Sequence, residues 1–301
     1  MAMPPPPPPT PPASSAPTLP RCYRHPDREA GRSCTRCGKS ACSDCLVQAA
    51  VGSHCLDCAK AARPTATVRA HDWNAGQALL MTKVFIGLNV AVFVYMALRD
   101  AGTLSGKLTQ AHVDLGLNRT LLRLDHHWYQ LVTAGFIHFG IFHILMNMFL
   151  LYQLGQLLEP ALGRVNYALL YVASLLGGSA GALLIERGVG SITGGASGAV
   201  FGLMGAAAIG LHRRGVNVFS TGIGTTLMLN LVLTFSISGI SIGGHLGGVV
   251  AGGICGYVML APTWRPLPTW SRWAAPLVVA AAAAAVAVVV VANTALPPGL
   301  R

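Results

Sequence analysis

Charge is scarce in this chain. About 10% of its 301 residues are charged, and only ten are acidic. Soluble domains carry near 25% charged residues, so an ordinary water-soluble globule is excluded. Several runs approach or exceed the roughly 18 to 20 apolar residues that cross a bilayer. The chain therefore reads as an all-α polytopic membrane protein. Two further absences narrow the reading. The N-terminus has no apolar core behind a basic start, so no cleavable signal peptide is visible. The apolar part holds no carboxylate at membrane depth: Glu159 falls at the end of one span and Glu186 in a loop.

What stands at the N-terminus is a Pro-rich run, MAMPPPPPPTPPASSAPTLP. Residues 1–20 are expected to form a disordered or polyproline II tether. The net charge of +11 invites a nucleic-acid reading, but nine of the 21 Lys/Arg precede the first apolar segment. They are Arg21, Arg24, Arg28, Arg32, Arg36, Lys39, Lys60, Arg63 and Arg69. A positive-inside signal that keeps the N-terminus in the cytoplasm explains them more simply than nucleic acid or anionic lipid.

Cysteine is nearly missing from the apolar part, where Cys255 stands alone, and the other seven lie between Cys22 and Cys58. They form pairs with two-residue gaps: Cys22 with His25, Cys34 with Cys37, Cys42 with Cys45, and Cys55 with Cys58. Such a gap lets one tight turn aim both ligands at one metal, and four pairs supply eight ligands for two tetrahedral zinc ions. A disulfide framework fits less well, because seven is odd and the basic flank argues for a reducing cytoplasm. Redox CxxC chemistry lacks its βαβ setting. The spacing of residues 21–62 resembles a B-box-type zinc finger, a small cross-braced module. That resemblance places Cys22, His25, Cys42 and Cys45 on one zinc, and Cys34, Cys37, Cys55 and Cys58 on the other. His54, beside Cys55, is the alternative ligand at that corner. With all positions filled by protein, the two zinc ions are structural and supply folding energy. A cytoplasmic protein partner is the natural role for such a module.

Residues 63–76 read as a polar linker. Seven helices follow, at about 79–98, 137–157, 165–185, 196–211, 222–236, 242–260 and 274–294. The first six form a core over 77–262, and residues 263–301 hold a linker, the seventh helix and a tail. With the N-terminus inside, Arg164, Arg213, Arg214, Arg265 and Arg272 fall in cytoplasmic loops. Lys107, Arg119, Arg123, Arg187 and Arg301 fall outside. Gly244, Gly248, Gly252 and Gly256 repeat at spacing four along the sixth helix, a face that lets a neighbouring backbone approach closely. The fourth helix, with Gly198, Gly202 and Gly205, is the expected neighbour.

Polar groups inside a span are expensive and usually functional. Here they are His138, His143 and Asn147 on the second helix, Ser197 at the top of the fourth, and His245 near the top of the sixth. All five fall at similar depth in the outer half of the bilayer, which makes one shared polar cavity an expectation. A serine hydroxyl needs a base, and acyl transfer needs donors for the oxyanion. Without an intramembrane acid, a hydrolase here runs on a Ser–His pair. Each group alone has a plainer reading: a packing serine, a satisfied interhelical histidine, or a His138–His143 metal pair whose spacing of five puts the rings on different faces.

Together, HFGIFHILMN (138–147), GASGAVFGLMG (195–205) and GGHLGGVVAG (243–252), in that order, resemble the rhomboid intramembrane serine proteases. WYQLVTAGF (128–136) and Glu159 with Gly163 fit around them. The resemblance implies a six-helix rhomboid bundle, with the seventh helix like the extra C-terminal span of some members. It makes Ser197 the nucleophile and His245 the general base, with no cofactor for catalysis. The Ser197 amide, His143 and Asn147 form the oxyanion hole, with Gly195 and Gly198 giving the backbone room. Phe201 packs on the His245 ring, in a position often held by tyrosine, and Gly248 and Gly252 bring the two helices together. The substrates the resemblance implies are single-pass transmembrane proteins of the lipid bilayer, cut at or near the membrane. The expected setting is the plasma membrane of a bacterium, with the N-terminus cytoplasmic and the C-terminus outside. Gln130 stands where family members commonly carry arginine, a departure that bears on how the first loop is pinned. The alternative is a non-proteolytic rhomboid-like protein that binds membrane clients.

Overall fold

The structure, a computed structural model, describes residues 19–62, 78–186 and 190–294. The Pro-rich tail up to residue 18, the linker over 63–76, Arg187 and the tail from residue 295 lie outside the described residues. The chain divides into two compact units, Met1–Gly76 and Gln77–Arg301.

In the first unit, β1 (Arg32–Ser33) pairs antiparallel with β2 (Ser40–Ala41), and β3 (Leu46–Gln48) with β4 (Ser53–Cys55). Helix α1 (Leu56–Ala61) follows directly. Its buried centre is Cys22, Ala30, Ala41, Cys42 and Cys45, with Tyr23, Leu46 and Leu56 against them. So small an apolar centre cannot hold about 40 residues together unaided.

The second unit is helical. Helix α2 (Leu80–Arg99) leads to a long loop carrying three short helices, α3 (Gln110–Leu115), α4 (Arg119–Leu124) and α5 (Gln130–Thr133). Then come α6 (Ile141–Leu162), α7 (Arg164–Ile185), α8 (Ser197–His212), α9 (Gly222–Ser236), α10 (Ile242–Met259) and α11 (Ser271–Ala292). Among the described residues, five helices (α2, α6, α7, α10 and α11) are long and apolar enough to cross a membrane, and α8 and α9 are shorter apolar helices. The 16 residues of α8 span about 24 Å, less than the roughly 30 Å hydrocarbon core.

The second span differs from its expected limits. Gly140 takes φ +96°, a backbone turn that opens the helix only at Ile141, and the helix runs on through Pro160 to Leu162. His138 therefore precedes the helix rather than lying on it. It is fully buried, edge-on to His143 with ring centroids 5.1 Å apart.

Two features order the bundle. Glu159, buried near the end of α6, accepts the backbone N–H groups of Met81 at 2.9 Å and Thr82 at 2.8 Å, and the Thr82 hydroxyl at 2.6 Å. A carboxylate on these otherwise unpaired first-turn donors ties the start of α2 to α6. Helix α10 packs most extensively against α8 and α7, because it is glycine-lined on both sides. A side chain at Gly248 or Gly252 would strike the carbonyls of Gly198 or Gly202 in α8, and one at Gly247 the Gly177 carbonyl in α7. The approach to α7 was not legible in the spacing-four seam, which points only at α8.

Candidate active site

The segment ahead of Ser197 is held by the long first loop. Thr193 and Leu117 exchange backbone hydrogen bonds of 2.8 and 3.0 Å, and the Gly195 N–H donates to the Ala134 carbonyl at 2.8 Å. The loop is held in turn by Gln130, which is fully buried. Its amide donates to the Val113 and Asp114 carbonyls, each at 3.2 Å, and its oxygen accepts the Asn118 N–H at 3.2 Å. Gln130 thus pins the loop through three backbone groups. A charged arginine is not needed when the partners are neutral carbonyls and an amide.

Ser197 is the first residue of α8 and is half-buried. One turn on, the Phe201 ring lies flat on the ring of His245, with centroids 3.9 Å apart at 16°. His245 is buried in the first turn of α10. Gly195 takes φ +136°, a backbone conformation that glycine reaches without strain. The point where its side chain would begin is 2.9 Å from His143 Nε2 and 3.5 Å from Ser197 Oγ. The gap that glycine leaves open is therefore one that both groups border. The His143 Nδ1 accepts the Phe139 N–H at 3.2 Å, which puts the ring proton on Nε2, facing the gap as a donor. Asn147, buried, donates one amide proton to the His143 carbonyl at 2.9 Å.

The cavity at this site, about 40 Å³, is lined by Ser197, Gly195, Gly198, Gly178, Ser179 and Ser241 among others. His138, His143, Asn147 and His245 do not line it. Of the five polar groups, Ser197 alone lines this cavity, while the His245 ring lies against Phe201.

Two supports escaped the sequence. Thr234 on α9 lies with its Oγ1 2.7 Å from His245 Nδ1. Glu186 accepts the Thr193 hydroxyl at 2.8 Å and the Ser241 hydroxyl at 2.5 Å, and Ser241 caps α10 by accepting the Gly244 N–H at 2.9 Å. Thr193 and Ser241 each stand four residues before Ser197 and His245, so one carboxylate links the two approaches. A lone threonine in an apolar helix and a glutamate beside a loop carry no spacing signal that marks them in advance.

The residues of this site fall in a recognisable sequence context. Residues 125–262 match the rhomboid domain. The match covers just under half of the chain. With its apolar helices, the domain makes this an integral, multi-pass membrane protein. The chain is 28% identical to rhomboid protease GluP of Bacillus subtilis over 57% of its own length and 33% of that protein. It is 32% identical to RHOMBOID-like protein 4 of Arabidopsis thaliana, over 47% of its length and 36% of that protein. Inactive RHOMBOID-like protein 8 of Arabidopsis thaliana matches at 35% over 30% of this chain and 25% of its own. The matched region thus spans about a third or less of these relatives.

The N-terminal unit gathers its ligand atoms into two groups, Cys22, His25, Cys42 and Cys45, and Cys34, Cys37, Cys55 and Cys58, each within 4.8 Å. Cys55, not His54, belongs to the second group. All eight cysteines of the chain are free thiols. Tetrahedral zinc would separate two sulfurs by about 3.8 Å and sulfur from nitrogen by about 3.6 Å. Here Cys37 and Cys55 sulfurs are 3.7 Å apart, and His25 Nδ1 is 3.4 Å from Cys42 and Cys45 and 3.9 Å from Cys22. The crowding splits the thiols. Burial would raise Cys22, but the Cys42, Arg24 and His25 amides outweigh it and hold it down at about 6. Sharing hydrogen bonds with Cys37 and Cys55 drives Cys58 up to about 12. Such sulfurs fit a divalent cation, which would neutralise them together.

Proposed function

We propose that this protein is an intramembrane serine endopeptidase acting through a Ser197–His245 dyad. The observation that carries the reading is the flat stack of Phe201 on His245, which ties the base to the helix turn that begins with Ser197. In the reaction, Ser197 Oγ gives its proton to His245 Nε2 and bonds to the scissile carbonyl carbon. The carbonyl π electrons move to oxygen, where the Ser197 N–H, His143 Nε2–H and the free Asn147 amide proton donate to the oxyanion. The imidazolium then protonates the leaving nitrogen as the C–N bond breaks. Water, deprotonated by His245, hydrolyses the acyl-enzyme and restores the serine. The cavity beside Ser197, about 40 Å³, has room for water, which suits that second half.

Gly195 and Gly198 leave space around the hydroxyl, while Gly248 and Gly252 let α10 approach α8. The substrates are single-pass transmembrane proteins cut within the bilayer. The chain sits in a bacterial plasma membrane with its N-terminus cytoplasmic and C-terminus outside, an orientation supported by the basic N-terminal flank. The N-terminal module, a B-box-like finger, holds two structural zinc ions and binds a cytoplasmic protein partner. Catalysis itself uses no cofactor.

The test is cleavage of a model transmembrane substrate in proteoliposomes. Ser197→Ala and His245→Ala should each abolish it while the protein stays folded, and normal cutting by Ser197→Ala would refute the mechanism. A second reading, a client-binding protein without proteolysis, is kept open by the inactive relative. A fluorophosphonate probe separates the two, since only an activated Ser197 is labelled.

A further inference from the structure

The base of a serine hydrolase must present a bare Nε2 to the hydroxyl, so its ring proton must sit on Nδ1. In a triad a carboxylate enforces this by accepting the Nδ1–H. Among the described residues no carboxylate bonds His245. Its Nδ1 instead meets Thr234 Oγ1 at 2.7 Å, and the same oxygen lies 2.7 Å from the Asn230 carbonyl, one turn earlier on α9.

A threonine that bonds back to the carbonyl four residues before it is ordinary in an apolar helix. The two short contacts on one hydroxyl are not. A carbonyl oxygen only accepts, and the hydroxyl has a single proton. If that proton went to Nδ1, the Thr234 and Asn230 oxygens would face each other at 2.7 Å with no hydrogen between them. If it goes to Asn230, the hydroxyl lone pair is left to accept Nδ1–H, and both contacts become hydrogen bonds. Only the second arrangement satisfies every atom.

Where Thr234 sits strengthens the case. Of the 15 residues of α9, only Gly224 and Thr234 are buried, and Thr234 is 2% exposed. The helix thus turns this one hydroxyl inward, onto the edge of a ring whose face is covered by Phe201.

We propose that Thr234 is a positioning residue that locks His245 in the Nδ1–H form and so leaves Nε2 free to take the Ser197 proton. It stands where a triad keeps its acid, and it orients the base without bringing charge into the bilayer. This rests on the dyad reading above and deepens it. The Asn230 carbonyl completes the relay by holding the threonine proton.

The test compares Thr234→Val, which keeps the shape and removes the hydroxyl, with Thr234→Ser, which keeps the hydroxyl. Cleavage of a transmembrane substrate gives kcat and KM. The ring 15N spectrum of histidine-labelled full-length protein, with His245 assigned by difference from His245→Ala, reports the tautomer. Thr234→Val should lose about 10- to 100-fold in kcat, at or below the roughly 100-fold lower limit of what positioned proton transfer itself contributes, with KM nearly unchanged. Its His245 signals should shift from a single Nδ1–H form to a mixture. Thr234→Ser should restore both. Wild-type kcat in Thr234→Val, or a loss of kcat with the tautomer unaltered, would overturn the proposal. A Ser197→Ala variant that still cleaves would sink the dyad instead, while the 15N spectra would still decide whether Thr234 sets the ring.

Discussion

At the scale of single residues, the site is built from groups whose plain chemistry is fixed by one neighbour each. The Phe139 N–H makes His143 a donor on Nε2, and the Thr234 hydroxyl points His245 the other way. Two histidines of the same type thereby take opposite roles. Gly195 guards the space beside them. A methyl there would meet the His143 ring at 2.8 Å and require φ +136°, so Gly195→Ala should lower fluorophosphonate labelling of Ser197 at least tenfold while leaving the fold intact by circular dichroism. Gln130 belongs to the same scale. Gln130→Ala strands three backbone groups in a buried loop, a cost of about 1–3 kcal/mol, read as a lower thermal midpoint. Ser197, His245, His143 and Asn147 stood out in the sequence as candidates because glycines and intramembrane histidines are conspicuous in an apolar chain. Thr234 was not, since its meaning lies in a contact with a ring eleven residues away on another helix.

At the scale of elements, the spans were readable to within a few residues because twenty apolar positions in a row leave little else to form. The exceptions have local causes. The second span starts late because Gly140 turns the chain, a dihedral that composition does not reveal. The three short helices of the first loop are too brief for periodicity, and are held by bonds such as Gln130 to Val113 that only the folded chain supplies. The close approach of α10 depends on glycine facing carbonyl. Gly252→Ala would press a methyl on the Gly202 carbonyl and should cost about 1–3 kcal/mol, measured by steric-trap or denaturant unfolding in micelles. Glu186 joins the starts of α8 and α10 through Thr193 and Ser241. Glu186→Ala should therefore reduce kcat several-fold, and Glu186→Gln, which can still accept one hydroxyl, should recover part of it.

At the scale of the whole molecule, the chain joins a unit of apolar, membrane-spanning helices to one whose Cys/His groups are gathered so that they could hold metal. Elemental analysis of the purified full chain should find close to two zinc per polypeptide, and Cys34→Ser should lower that to about one. The ligand pairs were legible from their two-residue gaps. Their assignment to two groups, which the resemblance implied and spacing alone leaves open, matches the two clusters the fold gathers. Bound zinc, as proposed, would also change the meaning of the basic N-terminus. Residues 21–62 hold seven Lys/Arg and four Asp/Glu, an excess of three positive charges. Seven thiolates with two divalent cations carry three negative ones, so the loaded module is near neutral. That weakens a nucleic-acid role, and the loaded full chain should show no salt-sensitive retention on heparin beyond that of a chain lacking residues 1–62.

The pairing of α8 with α10 has a bearing on how the protein is made. Ser197 leaves the ribosome 48 residues before His245, and at about 5–20 residues per second that gap lasts roughly 2–10 s. During it the serine lacks the base proposed for it, although α9 with Thr234 is complete by residue 236. If the proposed dyad holds, a nascent chain halted before residue 242 would be inert toward the helices inserting beside it. On the proposed mechanism, any hydrolytic hazard would begin only once α10 has been synthesised.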